Sequence, residues 1–374
     1  MKFSVNRELL LQNLNHSIKA LSNKPQMPIL TGIKIEVNKD HINFITSNGE
    51  ISILCRIDSS ENLIIEEEGV FTVPGRYFQE IAKRVESKMI DIISFEDNIV
   101  KILADRSNFT LNLMDQENFP LISFDQTETY INLDVINLKQ IIKKTTFATS
   151  LSEARMVLTG VSFATNNNKL EVIATDSFRL AKKFMFFDNL NTQINVIIPS
   201  KSLDELNKII DDSTESVNMY FSKTKALFKY KNILFQTRLI EGVYPNTSSL
   251  IPNDFLTSIR FNKQELISTI ERASLFSSTE ASNIIKLNLT NERVVEISSI
   301  TNDIGGVLEE IYPLHCSNVI PFQIAFSSKY FLDAIRSFDS PEITINFTGE
   351  IKPFIIVGEY DVNHIQLILP IRVA

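Results

Sequence analysis

The chain is short of cysteine and glycine: its 374 residues include 2 Cys and 10 Gly. Cys55 and Cys316 are too few and too far apart for a disulfide framework or a thiolate zinc site. A reducing compartment, the cytoplasm, is therefore the expectation. No run of about 18 apolar residues occurs, which argues against a spanning helix and a membrane partner. The opening Met1-Lys2-Phe3-Ser4-Val5-Asn6-Arg7-Glu8 lacks the long apolar stretch of a signal peptide. With 44% hydrophobic and 22% charged residues, the composition excludes a disordered or collagen-like chain.

Enzyme signatures are missing as well. There is no G-x-x-x-x-G-K-[ST] phosphate loop, no G-x-G-x-x-G and no G-x-S-x-G; Gly160-Val161-Ser162-Phe163-Ala164 lacks the second glycine. His16, His41, His315 and His364 lie in separate segments without H-E-x-x-H spacing, so no metal site is expected. His315-Cys316 are chain neighbours whose side chains point apart, a poor nucleophile pair. No catalytic residue and no cofactor is expected.

What the chain does contain is repetition. Leu30-Thr31-Gly32-Ile33-Lys34-Ile35 recurs as Leu158-Thr159-Gly160-Val161-Ser162-Phe163, and more faintly as Asn283 to Thr290. Each copy follows a helical pattern: Leu9, Leu10, Leu14, Ile18 and Leu21; Leu138, Ile141, Ile142, Thr145 and Thr146; Leu266, Ile267, Ile270 and Ala273. Each precedes a second helix, carried by Phe78, Ile81, Ala82 and Val85; by Leu203, Leu206, Ile209 and Ile210; and by Phe331, Leu332, Ile335 and Phe338. Ser200 and Ser328 are the expected N-caps of the last two. Alternating runs such as Phe109-Thr110-Leu111-Asn112-Leu113 close each unit as half-buried strands. The pattern predicts an α+β protein of three similar domains, 1–127, 128–253 and 254–374, each with two helices and antiparallel sheets.

The net charge of −8 argues against nucleic acid until its distribution is considered. Six windows over the helices (7–19, 76–84, 139–144, 201–208, 263–272 and 329–336) hold 14 Lys and Arg against 7 Asp and Glu. The helices therefore carry +7 and everything else −15. Amphipathic helices with solvated basic faces produce such a count. So do helices facing one shared space, which would attract phosphates without reading bases.

Several segments together carry a family resemblance: Met1-Lys2-Phe3 with Asn6-Arg7-Glu8-Leu9-Leu10; Pro25-x-x-Pro28-Ile29-Leu30; and Ala174-Thr175-Asp176-x-x-Arg179-Leu180-Ala181. Glu241-Gly242-x-Tyr244-Pro245 and Leu369-Pro370-Ile371-Arg372 complete the set. Over its whole length the chain resembles the bacterial DNA polymerase III β subunits, the replicative sliding clamps. That resemblance implies a head-to-tail homodimer forming a closed ring, with helices lining the hole and sheets outside. It implies a non-catalytic processivity factor whose partners are double-stranded DNA, a second copy of itself, the polymerase III alpha subunit, the clamp loader and other clamp-binding proteins of replication and repair.

The resemblance also assigns residues. Lys24 lies in a loop that touches DNA; Arg76, Lys143, Lys144 and Lys201 are channel or rim cations by helix position. Phe109 and Leu111 on one copy meet Leu275 and Phe276 on the other, although strand and helix periodicity alone also suits them to a core. Arg155, Leu158, Thr175, Ser177, Arg179, Leu180, Pro245, Leu250, Leu369, Pro370 and Ile371 match an apolar groove that takes extended peptides carrying a Gln and a Leu-Phe-like pair. Ser177 and Phe178 stand where many members have Gly and His, and Met156 and Val157 replace aromatic residues, so the groove's peptide preference is open. Two other readings compete: an enzyme acting on phosphorylated substrates through Arg179 and Asp176, and a scaffold that binds only proteins.

Overall fold

Asn6, Asp134 and Asn262 stand 128 residues apart, each closing a strand and opening a helix. The side-chain oxygen of Asn6 accepts from the amides of Glu8 and Leu9, and that of Asn262 from the amide of Glu265, so a short polar residue ends the strand and caps the helix. The three helices begun there are α1 (Arg7–Ser17), α3 (Val135–Thr145) and α5 (Lys263–Ser277); the second helix of each repeat is α2 (Gly75–Arg84), α4 (Ser200–Asn207) or α6 (Ser328–Arg336). In this computed structural model the described residues are 1–22, 27–95, 98–128, 130–190, 192–277, 283–290, 294–301 and 305–372.

Two expected caps are corrected. Ser327, one residue earlier than expected, caps α6 by accepting from the Tyr330 amide, and Ser328 is buried in the first turn. The Ser200 hydroxyl donates to the Thr159 carbonyl at 2.9 Å, tying α4 to the neighbouring repeat motif.

The chain divides into two compact units, Met1–Leu138 with Ser202–Leu239, and Lys139–Lys201 with Ile240–Ala374. The first holds two antiparallel sheets. One runs Leu63–Glu67, Lys2–Asn6, Met89–Phe95, Ile99–Ala104, Ser107–Asn112; the other runs Tyr130–Asp134, Ser216–Phe221, Lys225–Tyr230, Ile233–Arg238, Ile51–Asp58, His41–Ser47, Gly32–Val37, Gly69–Pro74. The second unit holds a nine-stranded sheet, Asn195–Pro199, Gly160–Asn166, Lys169–Thr175, Arg179–Phe186, His364–Ile368, Phe354–Gly358, Glu342–Phe347, Thr257–Asn262, His315–Cys316. Its four-stranded sheet runs Gly305–Ile311, Val295–Thr301, Ile284–Leu289, Phe322–Ser327.

Each long sheet is two shorter ones joined across a repeat boundary, and the two joins share a register. Ile51 pairs with Thr237 and Cys55 with Ile233; 128 residues on along the one strand and 131 along the other, Arg179 pairs with Ile368 and Lys183 with His364. The third pair of corresponding strands, Ser107–Asn112 and Gly305–Ile311, lies at sheet edges, each with one hydrogen-bonded neighbour among the described residues. Such edges are templates for further strand pairing.

Apolar packing fixes the layers. In the second unit Phe326, Phe331, Phe347 and Phe354 form one ring cluster with centroids 4.7–6.2 Å apart, bringing α6 onto both sheets. All four rings are fully buried, each contributing on the order of 2–3 kcal/mol of transfer free energy.

Candidate functional site

The predicted groove residues lie in the second unit, where four segments meet around one apolar cluster. Its buried members are Ile173, Leu180, Ile355 and Leu367; Tyr244, Ile251, Val357, Ile365 and Leu369 pack on it half-buried. A tight approach brings in the Arg155–Leu158 segment: Gly242 has φ +132, and a β-carbon there would lie 2.7 Å from Val157 Cγ1. Beside it the Tyr244 hydroxyl accepts from the Thr175 amide at 3.0 Å and lies 3.5 Å from the Gly160 carbonyl. Burial pushes that phenol above its ordinary pKa, so it stays neutral and hydrogen-bonding.

The fourth segment is the C-terminal run. The amide of Leu369 donates to the Phe178 carbonyl at 2.9 Å and that of Ile371 to the Ala325 carbonyl at 2.7 Å, so these two amides are already engaged. Pro245, Leu369, Pro370 and Ile371 are half-buried, while Arg155, Met156, Ser177, Phe178 and Leu250 are exposed. Leu158 and Leu180 are buried beneath them. The result is an apolar floor with an exposed rim, suited to anchor side chains of an extended peptide.

The turn before the groove is built by hydrogen bonds at Thr175 and Asp176. Thr175 Oγ1 donates to the Arg179 carbonyl and accepts from the Ser177 amide; Asp176 Oδ1 accepts from the amides of Phe178 and Arg179. Ser177 takes φ +80 at its tip, a conformation that explains why glycine suits this position. Arg179 is matched by motif, but its charge is turned inward. The guanidinium meets Asp176 Oδ2 at 3.0 Å, Asp333 at 2.7 Å and the Phe147 carbonyl at 2.5 Å, and lies 4.4 Å from the Tyr330 ring centroid. Arg179 therefore braces the groove from behind. Asp176 and Arg179 neutralise each other, which removes the basis for a phosphate-binding pair there.

Sequence reasoning missed Tyr244, Tyr330, Phe147, Ile355 and Leu367 as members of this site. Tyr244 sat in a quoted motif, next to Pro245; for Tyr330, which stacks on Phe178 at 6.5 Å, no signal in the sequence pointed to the groove.

The predicted cations divide. Lys24 lies outside the described residues. Arg76 and Lys201 are exposed in the first turns of α2 and α4, and Lys143 is 62% exposed, 3.4 Å from Asp339. Lys144 is a correction: its side chain is 3% exposed and paired with Asp361 and Asp339, so it does not face a channel. The helical period carries the reason, because Ile141, Lys144 and Ala148 fall on one buried stripe and Lys143 on the face beside it.

Of the predicted interface residues, Phe109 and Leu111 share one face of the edge strand Ser107–Asn112 and are half-buried. Leu275 and Phe276 stand in the last turn of α5, Leu275 exposed and Phe276 half-buried. α5 packs on Val295–Thr301 and on the other edge strand, Gly305–Ile311.

Three repeats of this kind, with sheets that run on from one repeat into the next, define a clamp-type protein. Family models for the N-terminal, central and C-terminal domains of the DNA polymerase III beta subunit match residues 1–123, 132–246 and 248–372. The beta sliding clamp of Staphylococcus epidermidis is 38% identical over 381 residues, covering all of this chain and 99% of the relative. That of Staphylococcus aureus is 38% identical over 379 residues with the same coverage. The solved sliding clamp of Bacillus subtilis superposes over the whole of both chains with a TM-score of 0.96 and 37% identity. The DNA polymerase III beta chain of Streptococcus pneumoniae gives 0.96 and 35%, again over the whole of both chains. The chain belongs to the DNA polymerase III beta subunit family, the bacterial sliding clamps, and is a non-catalytic subunit of DNA replication.

Proposed function

We propose that two copies of this chain join head to tail into a closed ring around duplex DNA, and that the groove tethers the polymerase III alpha subunit and other clamp-binding proteins to it. The observation that carries this reading is the unfinished third join. Ile233 pairs with Cys55 and Phe235 with Ile53 inside the chain. Their counterparts follow from the hairpins: Lys231 and Asp105 both take φ near +50 at equivalent turns, and Ile300 pairs with Gly306 as Thr175 pairs with Leu180. Carried over, Phe109 of one copy lies opposite Val307 of the other, Leu111 opposite Gly305 and Ser107 opposite Glu309. Arg106 then comes beside Glu310, with opposite charge. Because the two edges differ, the contact is heterologous, and two copies of three domains close it.

Enclosure explains how an acidic chain holds DNA: the exposed Arg76, Lys143 and Lys201, with Lys24, contact phosphates while the ring prevents escape. Domain limits at 127/128 and 253/254 give each domain two of the six helices. The clamp loader would open the join between copies, and the cytosol is where these partners meet.

Retention on DNA tests the reading. Loaded protein should stay on closed circular DNA through a gel-filtration column and be lost when the circle is cut once. Loss from both forms alike, or equal retention on both, would refute encirclement.

A further inference from the structure

We propose that Lys144 is a positioning residue for the peptide groove: its buried ammonium fixes the groove wall that leaves the end of α3 against the strand that enters Leu369-Pro370-Ile371. The inference rests on the groove reading above. Lys144 Nζ contacts Asp361 and, at 2.9 Å, Asp339 Oδ2. Asp361 is itself 1% exposed, and its carboxylate also accepts from the Asp339 amide, the Ser340 amide at 2.8 Å and the Ser340 hydroxyl at 2.6 Å. The end of α3 and the Asp339–Ser340 turn therefore converge on one carboxylate.

The backbone of the same lysine holds the other side. The Lys144 carbonyl accepts from Gln366 Nε2 at 3.1 Å, and Gln366, in the strand His364–Ile368, is buried. From Lys144 the chain passes through the short helix Thr146–Ala148, where the Phe147 carbonyl takes the Arg179 bond, and on to Arg155 and Leu158. From Gln366 it passes in three residues to Leu369. Lys144 thus touches the leads to both groove walls, and two buried cations, Lys144 and Arg179, brace them.

Opposite charges and hydrogen bonds make this an ordered knot. The buried groups facing one another are Lys144, Lys183 and Asp361, with Asp339 half-exposed at the edge where the solvated Lys143 also reaches it at 3.4 Å and His364 beside them; Lys183 Nζ donates to the Val362 carbonyl at 2.9 Å. A buried ion pair is no better for stability than an apolar pair of equal volume, since desolvation offsets the attraction. What it supplies is one permitted geometry, and here that geometry spaces the walls.

The probe is a fluorescent synthetic peptide carrying a Gln and a Leu-Phe pair, titrated onto the full chain, with deletion of Leu369 to Ala374 as the binding-negative control. Absence of binding by the unaltered chain would refute the groove itself, separately from this inference. Lys144→Met should weaken the peptide about tenfold while retention on circular DNA stays unchanged. Because that variant strands Asp361, the double variant Lys144→Met/Asp361→Asn removes both charges. It should melt within a few degrees of the unaltered chain and still bind the peptide about tenfold more weakly. Unchanged peptide affinity in either folded variant overturns the proposal. So does failure of the double variant to fold, because the pair would then hold the fold as a whole.

Discussion

The two internal joins have one backbone register and two different uses. In the first unit the apolar surface beside Ile51–Asp58 is closed by the chain's own linker: Phe119 is buried, and Ile122 and Phe124 pack with it on Ile29, Leu30, Ile45, Leu54 and Met114. In the second unit the corresponding cluster around Ile173 and Leu180 keeps an exposed rim. Phe119-Pro120 and Tyr244-Pro245 occupy equivalent places, 125 residues apart. One aromatic plugs its site; the other uses its hydroxyl to organise an open one. The helix ends differ in the same way. His16 stands where Lys144 does, 128 residues earlier, and burial lowers its pKa in spite of Asp211 nearby, so an imidazole favoured in its neutral form takes the place of the second join's ion-paired lysine. Where the linker leaves it uncovered, a repeated joint keeps the exposed apolar surface that is proposed above to take peptides.

The sharpest way to break this comparison is to remove the plug. Phe119→Ala should cost about 3 kcal/mol of stability, the usual range for a buried Phe, and leave peptide affinity unchanged. Tyr244→Ala should lower peptide affinity as well. Thermal melts and peptide titration read the two effects, and equal loss of peptide affinity in both variants would erase the distinction.

A second effect probes the ion-paired join by pH. Burial, the largest cause, pushes the His364 imidazole down to about 3, with Lys144 nearby acting in the same direction. The unfolded chain takes up that proton below about 6.5, whereas the folded chain does not. His364 therefore contributes stability that is present above about pH 6.5 and falls away toward pH 3, by up to about 1.4 kcal/mol per pH unit. Burial raises Asp339 and Asp361, but the Lys144 ammonium, with the Ser340 hydroxyl and the Asp339 and Ser340 amides at Asp361 and the Lys143 charge at Asp339, together hold both below the ordinary carboxylate range, so their stability is present above about pH 4 and lost only as the pH falls below it. His364→Gln should flatten the denaturant midpoint between pH 6.5 and 4; an unchanged slope would place the titration elsewhere.

The repeats, the six helices and most strands were legible because local signals carry them: the recurrence of Leu30-Thr31-Gly32 as Leu158-Thr159-Gly160, the three- and four-residue apolar spacing, and alternation such as Phe109-Thr110-Leu111. Of the two strands at each join one was legible, the runs 109–114, 233–239 and 365–369, and its partner was not. Ile51–Asp58 reads Ile-Ser-Ile-Leu-Cys-Arg-Ile-Asp without clean alternation, and Gly305–Ile311 opens with two glycines and holds two glutamates. Their pairing is also long-range, and nothing in Ile233 announces Cys55. Lys144 was misassigned for the same reason. Its neighbour Lys143 is exposed, and the carboxylate that buries Lys144 lies 217 residues away. Charge counts see residue types, and only tertiary contacts decide which charges reach solvent. The matched motifs point to residues that the fold brings around one apolar cluster, but the inward turn of Arg179 depends on Asp333 and Tyr330, 154 and 151 residues distant.

The unfinished join is the centre of the account, and sedimentation equilibrium of the full chain tests it most directly. The account predicts a species of about twice 42.6 kDa that reverts to 42.6 kDa when Phe109→Asp puts a charge opposite Val307. A chain that sediments at 42.6 kDa at micromolar concentration, or a doubled mass that Phe109→Asp leaves intact, would contradict it.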